Sequence, residues 1–214
     1  TGVDEINIET AFASIGSFAI VGDPYGAFYG SKWQRDANGN LVINAAGVPI
    51  VAADRGNLGN PFPDWMAGIN NSFNIYGVQV SALLDIREGG ALWNGTLARL
   101  HRLGRTQASA DNRGESFIIP GVKEDGTPND IPVDAFTYYN RYLGDNGAAT
   151  EQAVQDGSWV RLRELTVGYD IPMANDGFVK RLNIYFTGRN LWLSTDYEGV
   201  DPETSLTGAG SNVG

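Results

Sequence analysis

The stretch Arg181–Trp192, RLNIYFTGRNLW, decides how this chain is read. Successive side chains of a strand point to opposite faces. Leu182, Ile184, Phe186 and Gly188 therefore share one side, and Asn183, Tyr185, Thr187 and Arg189 share the other. The apolar side either packs into the core of a soluble sheet or faces lipid. The same period recurs upstream. In WMAGINNSFNI, Trp65, Ala67, Ile69, Phe73 and Ile75 alternate with mostly polar neighbours, and beyond Tyr76 and Gly77 the residues Val78, Val80, Ala82, Leu84 and Ile86 oppose Gln79, Ser81, Asp85 and Arg87. This predicts a hairpin over 65–87, with Gly77 free to take a positive φ and Leu83 the one apolar residue on the polar side. In WVRLRELTVGYDIP, Leu165, Val167 and Tyr169 oppose Glu164, Thr166 and Gly168. Pro172 ends that strand, and MANDGF turns it into the opening stretch, a second hairpin over 159–193.

With 214 residues, the chain suits one large β domain or two smaller ones. A net charge of -10 argues against a nucleic-acid partner, whose phosphates need clustered Lys and Arg. The absence of cysteine excludes disulfides and thiolate metal sites. No apolar run is long enough for a transmembrane helix, but barrel strands need only about 9–11 residues each. No basic and apolar leader follows Thr1, so the sequence is expected to be a processed product or a piece of something larger.

Dense Gly, Asn and Asp between period-two segments indicate a β protein. The long connection over 88–158 is predicted to carry structure of its own. Trp93, Leu97 and Leu100 fall at helical spacing before Gly104, and DAFTYYNRYL reads as a second short helix ended by Gly144. GAFYGSKWQRD, NGN and LVIN read as strand, turn and strand. Trp65, Tyr76, Tyr169, Trp192 and Tyr197 bracket the apolar stripes, as aromatic girdles do in membrane barrels. Pattern alone leaves an outer-membrane barrel and a soluble sandwich evenly matched. An open sheet edge in hydrocarbon costs several kcal/mol per unpaired amide. In lipid, the strands read here would therefore be an arc completed by others.

The motifs GAFYGSKWQRDANGN, LGNPFPDWMAGINNSF, LLDIREGGALWNG, DGSWVRLRELTVGYDIP and GRNLWLSTDYEGVDPETS, in this order over nearly the whole chain, resemble the C-terminal part of SusC/RagA-type TonB-dependent outer-membrane transporters. The resemblance implies an all-β fold: an antiparallel transmembrane β-barrel of the 22-stranded plugged class, with long extracellular loops containing short helices. Residues 1–214 would be a C-terminal arc of it, with the plug, the N-terminal part and the final strand lying elsewhere. The implied function is import of oligosaccharides or peptides across the outer membrane of a Gram-negative bacterium. A SusD-like surface lipoprotein would act as the lid, and the TonB complex would supply energy through a segment not in this chain. Neither a cofactor nor enzymatic chemistry is implied. Ile69, Phe73, Val80, Leu84, Leu182, Ile184 and Phe186 would then face the lipid bilayer, and Asn183, Tyr185, Thr187 and Arg189 the lumen. Arg189 turned to lipid near the midplane would cost roughly 2–4 kcal/mol, which fixes the register. The alternative is a soluble β-rich cell-surface protein that binds glycans.

Candidate sites are few. His101 has no second histidine at metal-ligand spacing and is expected to pack. Asp201 and Glu203 flank Pro202 in a turn. TGAGSNVG lacks the strand and helix of a phosphate loop, and KEDGTPND lacks EF-hand spacing for calcium. NNS and NGT match glycosylation acceptors without informing function. No nucleophile accompanies the lone histidine. Trp33, Trp93, Tyr138 and Tyr139 are the candidate contacts to substrate or lid, since exposed rings stack on sugar faces. Packing of the long loops explains them equally well.

Overall fold

Period-two patterning becomes antiparallel sheet in the computed structural model, which describes residues 4–10, 15–173, 178–179 and 181–204. The first strands are β1 (Glu5–Thr10), β2 (Gly16–Ile20), β3 (Ala27–Trp33), β4 (Val42–Ile43) and β5 (Val51–Gly59), followed by β6 (Trp65–Ile75) and β7 (Val78–Glu88). The long connection then holds β8 (Ala91–Trp93), α1 (Gly95–Arg102), α2 (Gln107–Asp111), β9 (Ser116–Ile118), β10 (Val122–Lys123) and β11 (Pro132–Asp134). After α3 (Ala135–Thr137) and a π-helical turn at Tyr138–Tyr142 come β12 (Val154–Asp156), β13 (Trp159–Ile171) and β14 (Leu182–Thr195). The chain divides into two compact units, one of residues 63–89 and 157–196, the other of residues 1–62, 90–156 and 197–214.

The first of these units is a single four-stranded sheet in the order β14-β13-β7-β6, antiparallel throughout. β6 and β7 pair without a break from Trp65 opposite Glu88 to Ile75 opposite Val78. Tyr76 (φ 51°) and Gly77 (φ 84°) close the hairpin. Two successive positive φ values are those of the tight turn whose twist matches the flanking strands. The turn residues 174–177, within MANDGF, lie outside the described residues.

One irregularity sets the faces. β13 carries an extra residue, Arg163, between Leu162 and Glu164, which pair with the adjacent residues Leu84 and Leu83 of β7. β14 answers with two residues, Asn190 and Leu191, between the partners Trp192 and Arg189, and Asn190 adopts φ 50°. This is a β-bulge, and it reverses the parity of β13 while leaving that of β14 intact. Directly paired residues share a face. Val160 and Leu162 thus join Leu165, Val167 and Tyr169, although the first two are even-numbered and the others odd.

The other unit holds a second antiparallel sheet, in the order β1-β2-β3-β5, and three two-stranded ribbons. Ile15, Phe28 and Trp93 form one buried cluster, flanked by Leu58 and Val154. Ile43, Val48, Ile119 and Val133 form another, against Phe117, Tyr138 and Tyr142. Several expectations are corrected here. Trp93 does not belong to the helix that follows: it ends β8, opposite Val154 of β12, because Asn94 caps α1 by accepting the Leu97 N–H at 3.0 Å. The strand read in GAFYGSKW exists as β3, but its partners are β2 and β5. LVIN contracts to β4, which pairs in parallel with β10. DAFTYYNRYL begins as a helix, capped by Asp134 on the Thr137 N–H at 2.7 Å, and continues as the π-helical turn.

Candidate functional site

The sheet of β6, β7, β13 and β14 has two faces of opposite chemistry. On one, paired positions bring together Phe73, Val80, Val167 and Phe186, then Ile75, Val78, Tyr169 and Ile184, then Ile69, Leu84, Leu162 and Trp192. Leu182 continues this row at the end of β14, opposite Ile171. Apolar residues of the two outer strands are strongly exposed: Phe186 at 78 %, Phe73 at 60 % and Ile184 at 47 %, with Ile69 and Leu182 also exposed. Val80 and Leu84 are half-buried because strands flank them on both sides. Trp65 and Trp192 lie exposed toward one end of the sheet, and Tyr76 and Tyr169 toward the other. Tyr197, expected with them, is buried and belongs to the other unit. An apolar surface spread over four strands is far more than scattered exposed residues produce, and it marks a face that meets something other than water.

The opposite face is a polar ladder. Asp170 accepts from Gln79 Nε2 at 2.7 Å and Asn183 Nδ2 at 3.0 Å. Thr166 and Thr187 join hydroxyl to hydroxyl at 2.8 Å. Arg189 Nε donates to Glu164 Oε2 at 3.1 Å, and Arg163 Nε to Asp85 Oδ2 at 2.8 Å. Tyr185 stands on this side opposite Gly168. The glycine leaves room for the neighbouring ring, since a Cβ at 168 would come within 3.3 Å of Tyr185 Cβ. Leu83 pairs with Glu164 and Asn70 and so stands among the polar residues, as its position in the alternation requires. Cross-strand pairs of these kinds each contribute about 0.2–1 kcal/mol.

The aromatic residues expected to be exposed in the loops are placed differently. Trp33, Trp93 and Tyr139 are buried, and Tyr138 is half-buried. Trp33 donates its Nε1–H to Gln152 Oε1 at 3.1 Å. Phe117 stacks on Tyr138 with centroids 4.3 Å apart, and Tyr139 packs edge-on against Tyr138. Their rings form the loop core, because a connection of this length stays ordered only by burying apolar area of its own. His101 stacks on Tyr139 at 5.6 Å and meets Thr106 Oγ1 through Nδ1 at 3.2 Å. Burial pushes its pKa down, partly opposed by Glu198. Burial also pushes the Tyr142 phenol up. In KEDGTPND, Asp125 accepts from the Thr127 N–H and hydroxyl, and Lys123 pairs with Asp130 at 3.0 Å. Asp201 accepts the Glu203 N–H within its turn. Asn70 of NNS lies on β6, and Asn94 of NGT is the buried helix cap. TGAGSNVG lies outside the described residues.

An antiparallel meander with one exposed apolar face and one ion-paired polar face has the construction of an outer-membrane β-sheet wall. No family model matches the chain. Over most of its length, however, the chain is a homologue of TonB-dependent receptors. It is 28% identical over 205 residues to TonB-dependent receptor P3 of Formosa agariphila, covering 86% of this chain and 19% of that protein. It is 30% identical over 195 residues to TonB-dependent receptor P26 of the same organism, covering 86% of this chain and 16% of that one. The chain thus spans less than a fifth of the length of these curated relatives. Its fold superposes over 100% of its length on 23% of a chain in the RagAB peptide importer in the closed-closed state, with a TM-score of 0.58 at 18% identity.

Proposed function

We propose that this chain is part of the barrel wall of a TonB-dependent importer in the outer membrane of a Gram-negative bacterium, within the C-terminal portion of a 22-stranded barrel. The observation that carries the reading is the division of the β6-β7-β13-β14 sheet into an exposed apolar face and a hydrogen-bonded polar face. In this reading Ile69, Phe73, Val80, Leu84, Leu182, Ile184 and Phe186 meet acyl chains. Asn183, Tyr185, Thr187 and Arg189 line the passage, and the pairing of Arg189 with Glu164 keeps its charge on the wet side. The cargo is a peptide or an oligosaccharide, a SusD-like lipoprotein covers the outer mouth, and TonB supplies the energy from the other side. Similarity to a structure described as a peptide importer supports the peptide. Trp33, Trp93, Tyr138 and Tyr139 serve by holding the long loop in shape rather than by touching cargo.

A soluble glycan-binding sheet would need a second layer over Phe73, Ile184 and Phe186, all of which are exposed. The deciding experiment is extraction of the parent protein. It stays with the membrane pellet through a high-salt and carbonate wash and dissolves only in detergent, whereas release by carbonate alone removes the barrel reading. Affinity capture from detergent then identifies the lipoprotein and the cargo.

A further inference from the structure

The unit containing β3 and β5 holds an open groove of about 880 Å³, lined by Lys32, Arg35, Asp54, Tyr142, Glu151 and Gln152 among others. Most of its charges are already spent. Arg35 Nη1 is 2.7 Å from Glu151 Oε1. Arg55, also on the lining, donates to the Tyr29 carbonyl at 3.1 Å and lies over the Phe18 ring. Lys32 is different. Among the described residues its ammonium has no acceptor, whereas Lys123 is paired with Asp130. Its stem lies flat across β5 because position 56 is glycine: a Cβ there would come within 2.8 Å of Lys32 Cδ and 3.7 Å of Nζ. Lysine is a flexible point charge that ordinarily swings into water. Here the missing side chain at Gly56 provides a bed that holds the ammonium inside the groove.

Two neutral donors accompany it. Tyr142 packs against Trp33 with ring centroids 6.0 Å apart, and its hydroxyl has no partner among the described residues. Gln152 turns its carbonyl to Trp33 Nε1, which leaves its NH2 group to donate. Three donors without acceptors on one groove are suited to an anion. The carboxylates facing it are Glu151, engaged by Arg35, and Asp54, exposed on β5. Asp54 repels a second negative charge, so the fit is to an isolated monoanion rather than to a polyanion. The net charge of -10 on the chain does not prevent this, because screening over about 8 Å at physiological salt leaves the local groups in control.

We propose that this groove is a subsite for a single carboxylate, held by Lys32 Nζ and flanked by the Tyr142 hydroxyl and the Gln152 amide. That the carboxylate belongs to imported cargo rests on the importer reading; that it binds does not. Its sources are a peptide C-terminus or a uronic acid, which share this chemistry. The test uses the full-length receptor in detergent, with acetylation of Lys32 by an N-hydroxysuccinimide ester read by peptide mass spectrometry and affinity read by calorimetry. The probes are N-acetyl-trialanine against its C-terminal amide, and the monoanionic methyl galacturonoside against its methyl ester. Protection of Lys32 by the free acid and not by its neutral partner supports the subsite, and the pair that shows it assigns the source. The same probe binds about tenfold more weakly to Lys32→Met, the effect of losing one charge-assisted hydrogen bond. Gly56→Ala keeps the charge but displaces it and also weakens binding. Equal affinity of wild type and Lys32→Met, or protection by neither free acid, overturns the subsite. Carbonate release of a receptor that still binds through Lys32 removes the importer reading and keeps the subsite.

Discussion

Placing an arginine on each face in turn tests the assignment of the β14 faces. Phe186 is 78 % exposed on the apolar side, in the row with Phe73, Val80 and Val167, inside the rows that carry Tyr169 and Trp192. Thr187 is the next residue, on the opposite side, bonded to Thr166 at 2.8 Å. If the apolar side meets lipid, Phe186→Arg loses roughly 2–4 kcal/mol, the cost of a lipid-facing arginine near the midplane. Thr187→Arg loses one cross-strand hydroxyl pair, about 0.2–1 kcal/mol. The two variants then differ by at least about one kcal/mol, roughly a fivefold change in the ratio of folded to unfolded protein. Each is expressed in the full receptor and assayed by the unheated gel shift of the folded barrel and by urea unfolding in lipid vesicles. Phe186→Arg should fall in both, while Thr187→Arg should fold nearly as wild type and change uptake. Equal losses would refute the faces, and a larger loss for Thr187→Arg would reverse them.

Gly77→Val places a branched side chain at φ 84°, where the left-handed conformation costs about 1–2 kcal/mol, so the unfolding midpoint of the full receptor should drop correspondingly. Asn94→Ala removes the α1 cap and the bonds from its Nδ2 to Gln155 and to the Glu198 carbonyl; losing a buried cap with these partners costs about 1–3 kcal/mol, measurable as faster amide exchange in α1. Burial lowers the His101 pKa, so the unfolded loop binds a proton before the folded one does. Loop stability is therefore full above the ordinary histidine pKa of about 6.5 and declines as pH falls from there toward the folded value. Amide protection factors around α1, corrected for the intrinsic pH dependence of exchange, should fall across that window in wild type and not in His101→Gln.

What could be read in advance followed the side chains that carry period two. The two long hairpins announced themselves because β6, β7 and β14 alternate large apolar and polar residues, and the Tyr76-Gly77 turn sits where the phase breaks. β1, β2 and β5 were silent: EINIET, GSFAI and VAADRGNLG mix small and charged residues, and their pairing depends on partners distant in sequence. The reversal at Arg163 was hidden for the same reason, since a bulge is defined by what lies across from it. Trp33 and Trp93 show the limit for sites. A tryptophan in a polar connection reads as exposed, and only the assembled loop reveals that Gln152 and the Ile15–Phe28 cluster enclose them. Lys32 left no signal of its own, because its restraint comes from a glycine on the neighbouring strand.

The extra residue at 163 acts as a phase reset for everything before it on the strand. Removing that one codon would leave Leu162 and Glu164 as neighbours opposite the adjacent Leu84 and Leu83, so Trp159 through Leu162 would keep their outlook. Stitching Arg163 into the ladder as an ordinary paired residue would instead turn those four over, carrying Arg161 to the greasy side and Val160 and Leu162 to the wet one. Loss of the bulge with the residue retained would thus act as four simultaneous substitutions, while most exchanges of Arg163 for another side chain would leave the outlook of its neighbours unchanged. Across relatives, a strand that lacks the extra residue should therefore keep its greasy positions in unbroken alternation, and one that has it should show the same break in phase.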